Sequence, residues 1–349
     1  MADKDEDQQL GTPQGDRHGE GDAAVGHVPV LLKPAIDFLA VRRGGTYIDA
    51  TLGLGGHSFE IAKRLGAAGH LIGFDKDPVA LAVAGRRLKE PPPELEADWP
   101  VVTLLHASFA EIGERMGLEQ ADGLLADLGV SSLQLEDATR GFSFQAAGPL
   151  DMRMNPQTGV TAEQVVNHFD EPTLAGVIYK FGEERRSRRI ARAIVRARPI
   201  RSTAQLAQVV SAAARPMKPR FPAGKSGRRE GRHWERIHPA TRTFQAIRIF
   251  VNRELEDLQA LLEAAPQVVK TGARVVLISF HSLEDRMVKE ALRTGASHGL
   301  WQVLTKKPVS ADAEEIDRNP RSRSAKLRAA ERLPGAGQAG RGQGCGVCA

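Results

Sequence analysis

The stretch Tyr47-Ile48-Asp49-Ala50-Thr51-Leu52-Gly53-Leu54-Gly55-Gly56-His57-Ser58 sets a carboxylate at the end of an apolar run and follows it with a Gly-rich turn. Glycine tolerates positive φ and lets backbone approach a ligand closely. A second acid, Asp75, ends the next apolar run, 22 residues after Gly53. An α/β nucleotide site places a carboxylate there to accept both ribose hydroxyls. A dinucleotide and S-adenosyl-L-methionine both fit this layout. The dinucleotide fingerprint needs G-x-G-x-x-G, and Ser58 stands where the third glycine belongs. Asp49, four residues before Gly53, would repel a pyrophosphate but suits a cofactor carrying an ammonium and a sulfonium. The pattern favours S-adenosyl-L-methionine; a tight turn with no ligand is the plain alternative.

A third acid, Asp127, follows Leu124-Leu125-Ala126 and precedes Leu128-Gly129-Val130-Ser131-Ser132. At the carboxyl end of a strand in an open sheet, where ligands bind, it would orient a methyl donor or accept a hydrogen bond from a nucleophilic amine. A helix N-cap is the competing role.

These acids need elements to hold them. Runs 46–51, 70–75, 101–107 and 123–129 read as strands alternating with helical patterns, which predicts a parallel sheet covered by helices. Pro91, Pro92 and Pro93 mark a loop. The alternation stops after Asp127 and resumes with a strand at 274–280. Residues 138–237 read as a helical insertion of domain size, dividing an α/β core into 27–137 and 238–332. Phe244, Ile247, Val251, Leu255, Leu258 and Leu262 form one stripe at helical spacing, predicting a single long helix with Thr241 as its cap.

The composition, 41% apolar and 26% charged, suits a globular protein. No run approaches the roughly 20 apolar residues of a membrane span, and the acidic N-terminus does not read as a secretory signal; a cytoplasmic location without membrane contact is expected. Residues 1–26 and 333–349 are polar or Gly-rich and are expected to be disordered. The only two cysteines, Cys345 and Cys348, exclude a disulfide framework, and one such pair supplies half the ligands of a structural zinc site. No metal is expected. The net charge is +5; residues 1–26 carry seven acids against Lys4 and Arg17, or −5, so the remainder carries +10. A basic body suggests a polyanionic partner.

Nine stretches then tie the chain to a family: HVPVLL (27–32), YIDATLGLGGHS (47–58), FDKDP (74–78), DLGVSSLQLE (127–136), RGFSF (140–144), PLDMRM (149–154), HPATRTFQAIRIFVNREL (238–255), SFHSLEDR (279–286) and NPRSRSAKLRAAER (319–332). In these the sequence resembles the bacterial 16S rRNA N4-cytosine methyltransferase (methyltransferase H, MraW-like) family. The resemblance implies a Rossmann-like α/β methyltransferase with an inserted helical domain. It also implies transfer of a methyl group from S-adenosyl-L-methionine to N4 of cytosine 1402 in the decoding site of 16S rRNA. The family's cofactor contacts fall on Gly55, Gly56, His57, Asp75, Phe109, Asp127 and Gln134. The resemblance allows a homodimer, and the late formation of decoding-site structure points to an assembled or nearly assembled small subunit as substrate.

An exocyclic cytosine amine is a poor nucleophile, so an acceptor for one of its hydrogens would help. Asp127 is the first candidate; His27 and His281, each in a matching stretch, are others, with a structural role open for both. Other amino-methyltransferases use an Asn/Asp-Pro-Pro-aromatic loop here, whereas this chain has Asp-Leu-Gly-Val, so that acceptor geometry does not carry over. Phe142 and Phe144 would stack on a base or pack in a core. Arg185, Arg189, Arg192 and Arg196 recur at helical spacing and would meet RNA phosphates or simply face water. The segment 225–236 and the residues Arg318, Arg321, Arg323, Lys326 and Arg328 read as further basic patches. The competing functions are a small-molecule or protein methyltransferase, a non-catalytic RNA-binding assembly factor and, least consistent with Asp49 and Ser58, a dehydrogenase.

Overall fold

The computed structural model describes residues 29–215 and 238–334. Within them, seven strands form one sheet: β1 Thr46–Asp49, β2 His70–Asp75, β3 Val101–His106, β4 Ala121–Asp127, β5 Val269–Ser279, β6 Trp301–Val303 and β7 Lys326–Arg332. Their order is β3-β2-β1-β4-β5-β7-β6. Neighbours from β3 through β5 are parallel, and β7 runs antiparallel to both β5 and β6. This mixed α/β, Rossmann-like sheet agrees with the alternation in the sequence.

The strands read as near-continuous apolar runs because both faces of the sheet are covered. One face buries Phe74, Leu124, Val275 and Leu277 under Leu258 and Leu261 of the helix Glu254–Val268. The other buries Tyr47, Leu71, Leu125 and Ile278 with Leu39 and Leu65. Each large side chain so buried contributes roughly 1.5–3 kcal/mol. The strand order reverses between β1 and β4, and the crevice beyond their carboxyl ends is where an open α/β sheet binds ligands. Asp49 and Asp127 are the last residues of these two strands.

Between β4 and the helix Glu254–Val268, the chain builds a separate apolar cluster, including Val165, Ile178, Ile190, Ile194 and Leu206. The helix Thr241–Asn252 joins it through Phe244, Ile247 and Val251. The insertion's packing therefore extends past residue 237, as far as Arg253. There the structure also corrects the single long helix. Arg253 adopts φ 55° and separates two helices. The stripe read as one face serves two cores: Phe244, Ile247 and Val251 face the insertion, Leu258 and Leu262 the sheet. Asn252 fixes the break by accepting from the Met154 amide (2.7 Å) and donating to the Met152 carbonyl (2.7 Å). Thr241 is not the cap; Ala240 holds that position without a side-chain bond.

Candidate active site

The carboxyl ends of β1, β2 and β4 open into a cavity lined by residues of all three following loops, together with Phe280 after β5 and Met154 of the insertion. The loop after β1 turns on Gly53 (φ 52°) and Gly55 (φ 75°). The Gly53 amide donates to Asp75 Oδ2 (2.8 Å), and the Asp77 amide donates to Asp75 Oδ1 (2.8 Å). A Cβ on Gly56 would lie 2.3 Å from Pro29 Cγ, and one on Gly55 would lie 3.2 Å from Ala84 Cβ. Both glycines admit neighbouring chain, Gly55 on the side of the helix Pro78–Lys89.

Gly53, Gly56, His57, Asp75, Phe109, Asp127 and Gln134 line the cavity; Asp49 and Gly55 do not. Asp49 is buried beneath the loop, where Oδ2 accepts from Ser58 Oγ (2.6 Å) and Oδ1 from the Thr51 amide (3.2 Å). Ser58, the residue that breaks the dinucleotide fingerprint, thus holds the first acid in place. Gln134 is braced at both ends of its amide: Oε1 accepts from the Ser131 amide (3.0 Å) and Nε2 donates to Asp77 Oδ2 (2.8 Å). Asp77, which the sequence reading passed over, is fully buried, caps the helix Pro78–Lys89 and pairs with Arg140 (2.9 Å). An acid directly before Pro78 is a helix-start signal that could have flagged it.

Burial raises all three strand-end acids, because it penalises the charged form. Asp49 is pushed up to about 6, with the Ser58 bond opposing the rise. Asp75 is also pushed up to about 6, with the amides of Asp77 and Gly53 opposing and the charges of Asp77 and Asp49 adding to it. Asp127 reaches about 8: burial leads, Asp49 and Glu284 add to it, and the Arg321 guanidinium opposes it. Its Oδ1 is buried and has no hydrogen-bond partner among the described residues. His57 Nε2 lies 3.0 Å from the Val30 carbonyl, which can only accept, so this nitrogen carries the proton; Nδ1 lies 3.7 Å from Asp127 Oδ2. The site therefore gathers carboxylates whose ionisation is opposed by burial, a cost that a nearby cation would relieve. A cofactor carrying ammonium and sulfonium groups fits that donor set.

The remaining predicted residues fall elsewhere. His281 caps the helix Ser282–Ser297, with Nδ1 accepting from the Glu284 amide (3.3 Å) and Nε2 3.1 Å from Glu284 Oε1. It is not among the cavity-lining residues. Beside it Arg248 clasps Glu254 through two bonds of 2.8 Å. His27, the segment 225–236, Cys345 and Cys348 lie outside the described residues. Phe142 is buried in the insertion core, whereas Phe144 is half-buried and stacks on His238 with centroids 4.6 Å apart.

The arginines at 189, 192 and 196 lie on the helix Ser187–Arg196, and Arg185 precedes it; all four are exposed. Arg189 donates to the Arg215 carbonyl (2.9 Å), and Arg192 pairs with Glu171 (3.2 Å). Arg185, Arg188 and Arg196 have no ion-pair partner among the described residues. The C-terminal basic residues do not form one patch: Lys326 and Arg328 converge on Asp285 (3.1 and 2.8 Å), Arg318 pairs with Glu314, and Arg321 lines the cavity. Counting charge along the chain hid this, since it carries no information about burial.

Comparison with known proteins agrees with this geometry. A protein of Koribacter versatilis named ribosomal RNA small subunit methyltransferase H is 64% identical over 92% of this chain and 97% of its own length. The protein of that name from Acidobacterium capsulatum is 61% identical over 88% of this chain and 98% of its own. That from Sorangium cellulosum is 46% identical over 89% and 92%. S-adenosyl-L-methionine is the cofactor of such methylases. The MraW methylase family matches residues 24–333, and the chain belongs to that family.

Proposed function

We propose that this protein transfers a methyl group from S-adenosyl-L-methionine to N4 of cytosine 1402 in the decoding site of bacterial 16S rRNA, acting on an assembled or nearly assembled small subunit. The names of its relatives support a small-subunit rRNA substrate. The observation that carries the chemistry is the Asp127 carboxyl, which lines the cofactor cavity with its side chain 23% exposed and whose buried Oδ1 has no hydrogen-bond partner among the described residues.

The bound cofactor supplies an already activated methyl group, so the protein's contribution is positioning and electrostatics. Gly53 and Gly56, in the turn that lines the cavity, would flank the bound cofactor, and Asp75 would take the ribose hydroxyls. Phe109 packs on the adenine. Asp49, below the loop, acts through the charge it presents to the site and through the turn it holds. Gln134, committed to Ser131 and Asp77, keeps the loop after β4 in place. Asp127 accepts a hydrogen from the N4 amine, which localises the nitrogen lone pair toward the methyl group. As the N4–C bond forms, the nitrogen must shed a proton, and Asp127 takes it. A buried carboxylate with a high proton affinity suits that task. An extruded base costs a few kcal/mol in lost stacking; half-buried Phe144 and the exposed arginines of the insertion help to hold the RNA.

The test is transfer of labelled methyl groups to small subunits that lack the modification, followed by mass mapping. Label at N4 of cytosine 1402 is the expected result. Label on another nucleotide, or on free metabolites only, would refute the assignment.

A further inference from the structure

Arg321 belongs to a basic stretch by sequence, yet its guanidinium lines the same cavity as Asp127. Nη1 donates to Ser132 Oγ and Nη2 to the Val130 carbonyl, which pins the group against the loop that follows β4. A guanidinium has five N–H donors and no acceptor, so three donors stay uncommitted among the described residues. The cavity is thus lined by a carboxyl with an oxygen short of a donor, on Asp127, and by a guanidinium with donors to spare, on Arg321. The two groups are close enough for each to feel the other's charge.

The Watson–Crick edge of cytosine offers the complementary pattern. Its N4 amine donates, and N3 beside it accepts. Uracil reverses both positions, with O4 accepting and N3–H donating. We propose that Arg321 donates to N3 of the target cytosine while Asp127 accepts from N4, so that this pair selects the base. The assignment deepens the function proposed above and rests on it, since it takes N4 of cytosine as the methyl acceptor. Uracil in the same seat would set oxygen against carboxylate and N–H against guanidinium.

The experiment changes one partner on each side. Small subunits are reconstituted with 16S rRNA carrying either cytidine or 3-deazacytidine at the target; the analogue keeps the N4 amine but replaces N3 by C–H. Rates are measured for the natural protein, Arg321→Gln and Arg321→Lys, with cofactor binding by calorimetry as the check of folding. The natural protein is expected to favour cytidine over the analogue by about tenfold or more. In Arg321→Gln the cytidine rate falls and the ratio collapses toward one. A ratio unchanged by Arg321→Gln would mean that Arg321 only braces the loop, and would overturn the proposal. A ratio near one in the natural protein would overturn it without any variant. Should Arg321→Gln fail to fold, Arg321→Lys, which keeps the charge but loses the fork, carries the same comparison. Failure of the underlying function is recognised separately: unmodified cytidine then gains no N4 methyl from the natural protein, and this proposal falls with it.

Discussion

The strand-end carboxylates and the arginine helix are both concentrations of one charge, but the chain holds them in opposite ways. Asp49 is buried, Asp75 and Asp127 are shielded at the cavity, and burial raises all three. The arginines of the helix Ser187–Arg196 stand in water. A shielded charge depends on one partner at short range, and its removal changes a rate by orders of magnitude. An exposed charge acts over a Debye length and is screened by salt. On the function proposed above, the first region would carry the chemistry and the second the capture of a polyanion.

The sharpest way to break that division is Asp127→Asn. Its amide keeps the shape but can neither carry the negative charge nor take the proton. The methylation rate is expected to fall by about 10²- to 10³-fold, with cofactor binding still measurable by calorimetry. A loss below tenfold would move the chemistry to another group.

A somewhat smaller effect is expected with pH. Carboxyls of the unfolded chain ionise near 4, whereas Asp49 and Asp75 ionise near 6 and Asp127 near 8 in the folded protein. The unfolded state therefore releases protons first. The contribution of these acids to the stability of the cofactor-free protein falls as pH rises from about 4 to 8. A cationic cofactor favours the ionised carboxylates, so its affinity should rise across the same window, by up to about tenfold per pH unit for each proton released. Calorimetry at a series of pH values reads both trends. Asp127→Asn should remove the part between about 6 and 8, and an affinity flat from pH 5 to 8 would contradict the electrostatic account.

The smallest effect belongs to the exposed helix. Charge reversal at Arg188 and Arg196 should weaken RNA binding several-fold and reduce the slope of log affinity against log salt by roughly 0.7–0.9 for each phosphate no longer neutralised. The same change at Arg189 and Arg192 should do less, because these already bond the Arg215 carbonyl and Glu171. Filter binding over a salt series measures both. Equal affinity and slope in all three proteins would leave the helix with no role in holding RNA.

The parallel sheet and the three acids were legible because each depends on local pattern: an apolar run, an acid at its end and glycines in the turn. The break at Arg253 was not. Its apolar spacing passes through unchanged, and only the existence of two cores decides that the stripe must be divided there. Arg321 was misplaced for a related reason. Within a row of basic residues, nothing local separates the one that folds inward onto Val130 and Ser132 from those that meet Asp285 or Glu314. The place of Asp77 before Pro78 signals a cap, but its ties to Gln134 and Arg140 join residues far apart in sequence and carry no local signal.

The route of the insertion has one more consequence. It departs after Asp127 on β4 and returns through Arg253 to Val269 on β5, and those strands are direct neighbours, with Asp127 paired to Ile278. To the sheet, the whole excursion is a single crossover. The part of it before Arg253 can change in length without shifting any strand, provided the helix Glu254–Val268 stays on the sheet face. On the function proposed above, the half that carries the chemistry could then stay constant while the grip on its target diverges, a division of labour that would let one scaffold acquire new clients by trading a single module.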